Sequence, residues 1–370
     1  MGLIRISLAL IVVYGHFQLF VLNAQKVQIN PYFFFGMNAG FAVMYFYIVS
    51  GFLISYVLSK KYKDSIPLFY KNRFVRIFSL YWPVYLVMIL VVLPGCMEKK
   101  SIFDRFLATV LLGSDWMVAL AIPQGTKFPF PPFLNVSWTL GAELTFYLLA
   151  PWILRSLTGS VTLFAFSLVL RLSFQSVYGF SVWIYQFFPS TIMFFLLGHF
   201  VRIAYDRYVW PMWLGACLLA GSLVCSTKSI TSGEWTSGWF YGAFLLFALS
   251  VPPIFRATKK IRWMNVLGDA SFPVYLIHVT IMLFLPASLL KYLIDWLKAS
   301  PFSSLTGELC FLTVGIFVII ISIGIVYLVE RPCSFIMKCA VEGVCKKAGA
   351  YSHRFSLLMA EKNLTSRSTD

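Results

Sequence analysis

Leu3 to Leu22 is an apolar run of membrane length, since about 20 residues of helix cross a hydrocarbon core of about 30 Å. Runs of this kind recur at roughly 3–22, 33–58, 77–97, 136–158, 159–176, 183–204, 209–226, 238–255, 270–292 and 307–329. Hydrocarbon offers the backbone no hydrogen-bond partner, and a helix satisfies its peptide groups within one segment. The expected fold is therefore all-α, a polytopic integral membrane helical bundle of about ten transmembrane helices. Composition agrees: 12% of residues are charged and 59% hydrophobic, where a soluble chain carries about a quarter charged residues. Mean hydropathy is +0.81. No polar, small-residue cleavage region follows the first run, so it reads as a retained helix rather than a secretory signal.

A formal net charge of +16 invites a nucleic-acid partner, but the placement of the charge argues against one. Lys60, Lys61, Lys63, Lys71, Arg73 and Arg76 follow the second run, and Arg202 and Arg207 follow the sixth. Arg256, Lys259, Lys260 and Arg262 follow the eighth, while Arg331, Lys338, Lys346, Lys347, Arg354, Lys362 and Arg367 lie after the tenth. With the N-terminus inside, all four clusters fall on the cytoplasmic side, which is the positive-inside pattern. The partner expected is the lipid bilayer, with both termini cytoplasmic. Phe106 to Pro123 is apolar too, but as a further span it would move the later basic loops outside. It is placed as an interfacial or re-entrant segment on the outer side. The proline-rich link from Lys127 to Asn135 cannot be regular helix. Residues 1–333 read as one transmembrane domain and 334–370 as a basic, partly disordered cytoplasmic tail. The seven cysteines show neither CxxC spacing nor a paired framework, and no metal site is expected.

Ionisable groups inside such runs are costly and mark a site or pathway. Arg5 and His16 are eleven residues apart in the first run, which is three turns plus roughly 20° and a rise of about 16 Å, so they share a face. The fourth run carries Glu143, with Thr139 and Tyr147 four residues to either side in one polar stripe. Counted from the outer boundary, Glu143 and His16 lie about 10 Å and about 9 Å deep. A carboxylate beside an imidazole fixes its tautomer and raises its basicity, a common way to build a general base. The alternative is a structural Glu–His hydrogen bond. The second run ends in Tyr47, Ser50 and Gly51, where the glycine suits either close helix packing or a substrate. Arg73 and Arg76 are neighbours on one face of a short helix after that run. They suit a membrane-surface anchor or, through forked guanidinium groups, a ligand bearing phosphates. Ser271, Tyr275 and His278 share a face of the ninth run, and a buried histidine holding a carbonyl is an equally good reading of His278. Trp138 opens the fourth run, and His199 and Arg202 read as interfacial.

Six features in order along the chain are similar to the acyltransferase 3 family: Arg5-x10-His16, SGFLI at Ser50 to Ile54, Arg73-x2-Arg76, WTLGAELTFYLLAP at Trp138 to Pro151, GDASFPVYLIH at Gly268 to His278, and Glu330-Arg331-Pro332. Two positions depart from the family pattern, Gly2 where an acidic residue is usual and Ile6 where glycine is usual. The resemblance implies a bacterial inner-membrane acyltransferase that takes an acyl group, usually acetyl, from coenzyme A. The usual acceptor is a hydroxyl of a cell-surface carbohydrate such as O-antigen lipopolysaccharide or exopolysaccharide. Carried over residue by residue, Arg5 and His16 are the first-helix pair, Arg73 and Arg76 the loop arginines and Glu143 the fourth-helix acid. In the mechanism expected for such a chain, His16 and Glu143 are the catalytic candidates and Arg5, Arg73 and Arg76 the candidates for binding acyl-CoA. Ser50, Tyr47, Trp138, Tyr147, Ser271, Tyr275 and His278 are further pocket candidates. The rival class is a proton-coupled transporter or flippase, in which the same buried groups relay protons; no inverted repeat is visible to support it.

Overall fold

The computed structural model of the chain describes residues 1–23, 25–30, 33–34, 38–63, 65–96, 136, 138–179, 181–233 and 237–342. The segments at 106–123 and 127–135 and the tail beyond 342 lie outside these residues. Among the described residues all regular structure is helical, as the apolar runs require. The helices are α1 (Gly2–Phe17, continued by a π-turn Gln18–Leu22), α2 (Ala39–Lys60), α3 (Ile66–Cys96), α4 (Trp138–Ile153), α5 (Leu157–Tyr178) and α6 (Phe188–Arg207). They continue with α7 (Met212–Thr231), α8 (Gly238–Thr258), α9 (Arg262–Phe284), α10 (Ala287–Ala299), α11 (Thr306–Ile325, continued by a π-turn Val326–Glu330) and α12 (Arg331–Glu342).

Several starts are set by side-chain caps. Asn38 accepts from the Phe41 amide at 3.1 Å before α2, and Ser156 accepts from the Gly159 amide at 3.1 Å before α5. Each satisfies one of the amides that a helix N-terminus leaves without a partner.

Seven helical stretches among the described residues are long and apolar enough to cross a membrane, with an eighth if α9 and α10 count as one broken span. The expected third and fourth runs fall on α3 and α4, which are outside that set. Helix α4 has 16 residues, about 24 Å of rise, short of a full crossing. Helix α3 runs for 31 residues, so Arg73 and Arg76 belong to its first turns and not to a separate short helix. The ninth run is also revised. It starts eight residues earlier, at Arg262, and breaks at Leu285-Pro286 with a bend of 94°. Proline disfavours the helical region for the residue before it, and Leu285 is extended, with ψ at 122°.

Helix α2 is the most buried span at 72%, against 61% for the spans of α6 and α8, 17% for α5 and 22% for α7. Glycine sets how closely α2 and α6 approach. A Cβ on Gly51 would lie 1.9 Å from the Phe195 carbonyl oxygen, and one on Gly198 would lie 2.1 Å from that of Ile48. Gly51 is therefore a packing glycine. Gly51→Ala should destabilise the protein by about 1–3 kcal/mol through overpacking, read as a lowered Tm in detergent; an unchanged Tm would refute this contact. A similar pair joins α1 to α9, where a Cβ on Gly2 would sit 1.5 Å from the Met264 carbonyl oxygen and one on Gly268 would sit 2.7 Å from the Gly2 Cα. That clash explains why glycine stands at position 2, where the family pattern has an acid.

Part of the basic set clusters around the ends of α2, α6 and α8. Lys60 lies 3.5 Å from Asp206, which also takes Arg202 at 2.6 Å. Arg256 donates to the carbonyls of Tyr205 at 2.7 Å and Tyr208 at 3.1 Å.

Candidate active site

Arg5 on α1 and Arg73 and Arg76 on α3 face one cavity of about 290 Å³, walled by α2, α4 and α9. Tyr47 and Ser50 come from α2, Thr139, Glu143 and Tyr147 from α4, and Ser271 and Tyr275 from α9. The four-residue spacing of the α4 stripe puts all three of its polar groups on the wall. Glu143 Oε1 accepts from Ser50 Oγ at 2.8 Å and from the Tyr147 hydroxyl. Thr139 Oγ1 donates to the Tyr275 hydroxyl at 2.9 Å, which donates to the Val136 carbonyl at 2.9 Å.

The arginines are provisioned differently. Among the described residues none of the three is joined to a carboxylate within 4.0 Å. The Arg73 guanidinium lies 5.9 Å from the Tyr147 ring centre and 6.0 Å from that of Phe69, and its buried Nε has no hydrogen-bond partner. The Tyr47 hydroxyl is likewise buried without a partner. Aromatic faces support a guanidinium without occupying its donors. What the cavity presents is a set of forked donors suited to an oxyanion.

His16 and His278 lie off this cavity and against each other. His16 Nδ1 is 3.1 Å from His278 Nε2 and 3.0 Å from the Val12 carbonyl oxygen. His278 Nδ1 is 2.7 Å from the Tyr275 carbonyl oxygen and 3.1 Å from that of Val274. His278 is fully buried, whereas His16 is half-buried and stacks on Phe20 with ring centres 6.0 Å apart. The expected contact between Glu143 and His16 is not made. Helix α2 packs against both α1 and α4, and its Ser50 takes the carboxylate that depth alone assigned to His16. The histidine pair instead adjoins the cavity along α9, one turn beyond Tyr275.

Trp138 packs on Tyr185, with ring centres 5.0 Å apart, and does not line the cavity. His199 is buried, with Ser55 Oγ 2.7 Å from its Nδ1. Asp269, missed from the sequence, also lines the cavity. Its signal was a carboxylate two residues before Ser271, hidden because the helix was started at 270.

Fold and cavity together define a polytopic helical membrane protein with an arginine-lined cavity, one wall of which is the polar stripe on α4. The chain belongs to the acyltransferase 3 family, whose model, described as an acyltransferase domain, matches residues 1–330. It is 30% identical over 117 residues to the acyltransferase MdmB of Streptomyces mycarofaciens, covering 30% of this chain and 27% of that relative. It is 28% identical over 118 residues to a protein of Staphylococcus aureus strain COL that carries the provisional name of an O-acetyltransferase, covering 30% of this chain and 19% of the relative. The matched region thus spans about a quarter or less of those relatives' own lengths. No solved structure matches the chain.

Proposed function

We propose that this protein transfers an acyl group, acetyl in the first instance, from cytosolic acyl-CoA to a hydroxyl of a cell-surface or lipid-linked carbohydrate. It would do so in the bacterial inner membrane, with both termini cytoplasmic. The observation that carries this reading is the cavity itself: three guanidinium groups on two helices face one space and, among the described residues, none has a carboxylate within 4.0 Å. Coenzyme A brings phosphates for those forks, and its pantetheine arm then points along α1 and α9 toward the histidine pair. Arg5 and His16 are about 16 Å apart along the α1 axis, so the two ends of the donor are served by different groups.

In the transfer step His16 takes the proton of the acceptor hydroxyl as the oxygen attacks the thioester carbonyl carbon. The O–H bond breaks and an N–H bond forms on the imidazole. The new C–O ester bond forms, the C–S bond breaks, and the departing thiolate collects the proton to leave as coenzyme A. A hydroxyl needs such a base at neutral pH. Glu143 serves the donor end, holding the Ser50 and Tyr147 hydroxyls and balancing charge among the arginines.

Purified protein given isotope-labelled acetyl-CoA should pass label to a carbohydrate acceptor in membranes. Passage of a solute across proteoliposomes with no labelled product would replace this reading with the transporter. The Glu143 role has its own check. Glu143→Leu should cost about 1–3 kcal/mol for each hydroxyl left without its acceptor, while Glu143→Gln, which keeps that acceptor, stays near wild type in thermal unfolding. Equal losses in both variants would argue against it.

A further inference from the structure

We propose that His278 is a positioning residue that holds His16 in a single tautomer, with the proton on Nδ1 and the lone pair on Nε2. The argument is one of donors and acceptors. A carbonyl oxygen can only accept, so the nitrogen of His278 within reach of the Tyr275 and Val274 carbonyls, Nδ1, must carry the proton. In a neutral imidazole the other nitrogen is then an acceptor. His278 Nε2 therefore presents a lone pair to His16 Nδ1, 3.1 Å away. On its other side the same His16 nitrogen meets the Val12 carbonyl at 3.0 Å, a second acceptor. Two acceptors around one nitrogen require a proton on it.

His16 Nε2 is left with its lone pair and, among the described residues, without a hydrogen-bond partner. The His16 ring is only partly buried, whereas fully buried His278 has both nitrogens engaged. The same pair also favours the step itself. When Nε2 takes a proton, His16 becomes an imidazolium whose Nδ1–H still points at two acceptors. That hydrogen bond strengthens as charge appears, so it acts in the transition state more than in the ground state. A neutral histidine here does the orienting that a carboxylate does in a Ser-His-Asp triad, with no second charge placed in the bilayer.

What the base does rests on the acyl-transfer reading; the tautomer does not. The first test is therefore spectroscopic, on full-length protein labelled with ¹⁵N-histidine in nanodiscs. Ring nitrogen shifts, assigned with His16→Gln and His278→Gln, should report His16 as the Nδ1–H form. An Nε2–H form of His16 in the wild type overturns the proposal whether or not the protein transfers acyl groups. The second test is kinetic. His278→Leu removes the acceptor and should lower kcat about 10- to 100-fold, the worth of a hydrogen bond to a charged group, with KM for acyl-CoA unchanged. His278→Gln, which returns an acceptor oxygen at the Nε2 position, should recover most of that loss. A leucine variant with wild-type kcat, or losses in both variants that track lowered Tm instead of the tautomer, refutes a positioning role. Absence of any acyl transfer by the wild type would remove the kinetic arm and the proposed function together, and leave the shift measurement to decide the tautomer.

Discussion

His16→Ala should lower kcat for acyl transfer by about 10² to 10⁴, the usual worth of a general base, while acyl-CoA binding stays close to wild type. Binding is spared because the cavity that holds the arginines does not include His16. Stability should fall by about 1–3 kcal/mol, because the change leaves the buried His278 Nε2 without its donor. The measurement is single-turnover transfer from labelled acetyl-CoA with purified protein, with Glu143→Gln run beside it. Near-normal turnover in His16→Ala together with loss in Glu143→Gln would move the base into the cavity, to the carboxylate, and the proposed mechanism would fall. The two variants discriminate well because Ser50 and Tyr147, not His16, hold Glu143.

The arginines predict a different signature. Arg73→Ala and Arg76→Ala should each weaken acyl-CoA binding about 10- to 100-fold, the range for a hydrogen bond to a charged group. At saturating donor kcat should change little, since phosphate contacts are made equally in the ground and transition states. Lysine should restore charge but not the forked geometry, so Arg73→Lys should recover only part of the loss. Calorimetric titration with coenzyme A and with its dephosphorylated form separates the phosphate contacts from the rest. Unchanged affinity in both alanine variants would dismiss the phosphate role and return these residues to the membrane-surface anchor that basic positions near a bilayer often are. The structure already weighs against that reading, because Arg73 Nε is buried among Tyr147 and Phe69 and does not face solvent.

Much of the cavity was legible in the sequence. The spacing of Thr139, Glu143 and Tyr147 forces one helical face whatever packs on it, and that face is the wall of the cavity. The same holds for Ser271 and Tyr275. Gly51 in an apolar run suited either close helix packing or a substrate, and the structure shows the packing: Gly51 meets the backbone at Phe195. The failures share a cause. Pairing Glu143 with His16 used depth alone, and depth says nothing about which helix stands between two others. Starting the ninth helix at 270 hid Asp269, because the apolar run begins later than the helix that carries it. Helix α3 was truncated for the same reason: its first turns are polar, so an apolarity threshold assigned Arg73 and Arg76 to a separate element.

Hydrophobic length and the scarcity of charge, read from the sequence, dictate an all-helical membrane protein, because a buried backbone must pair within its own segment. Helical periodicity likewise determines which polar residues share a face. Which faces meet is a matter of neighbours, and only the tertiary structure decided it. Glycines at 2 and 268 let α1 and α9 touch, the two helices on which His16 meets His278, and glycines at 51 and 198 let α2 and α6 touch. Periodicity is a property of one helix, whereas partnership depends on side-chain volumes on two helices at once, and no single run of residues carries that information.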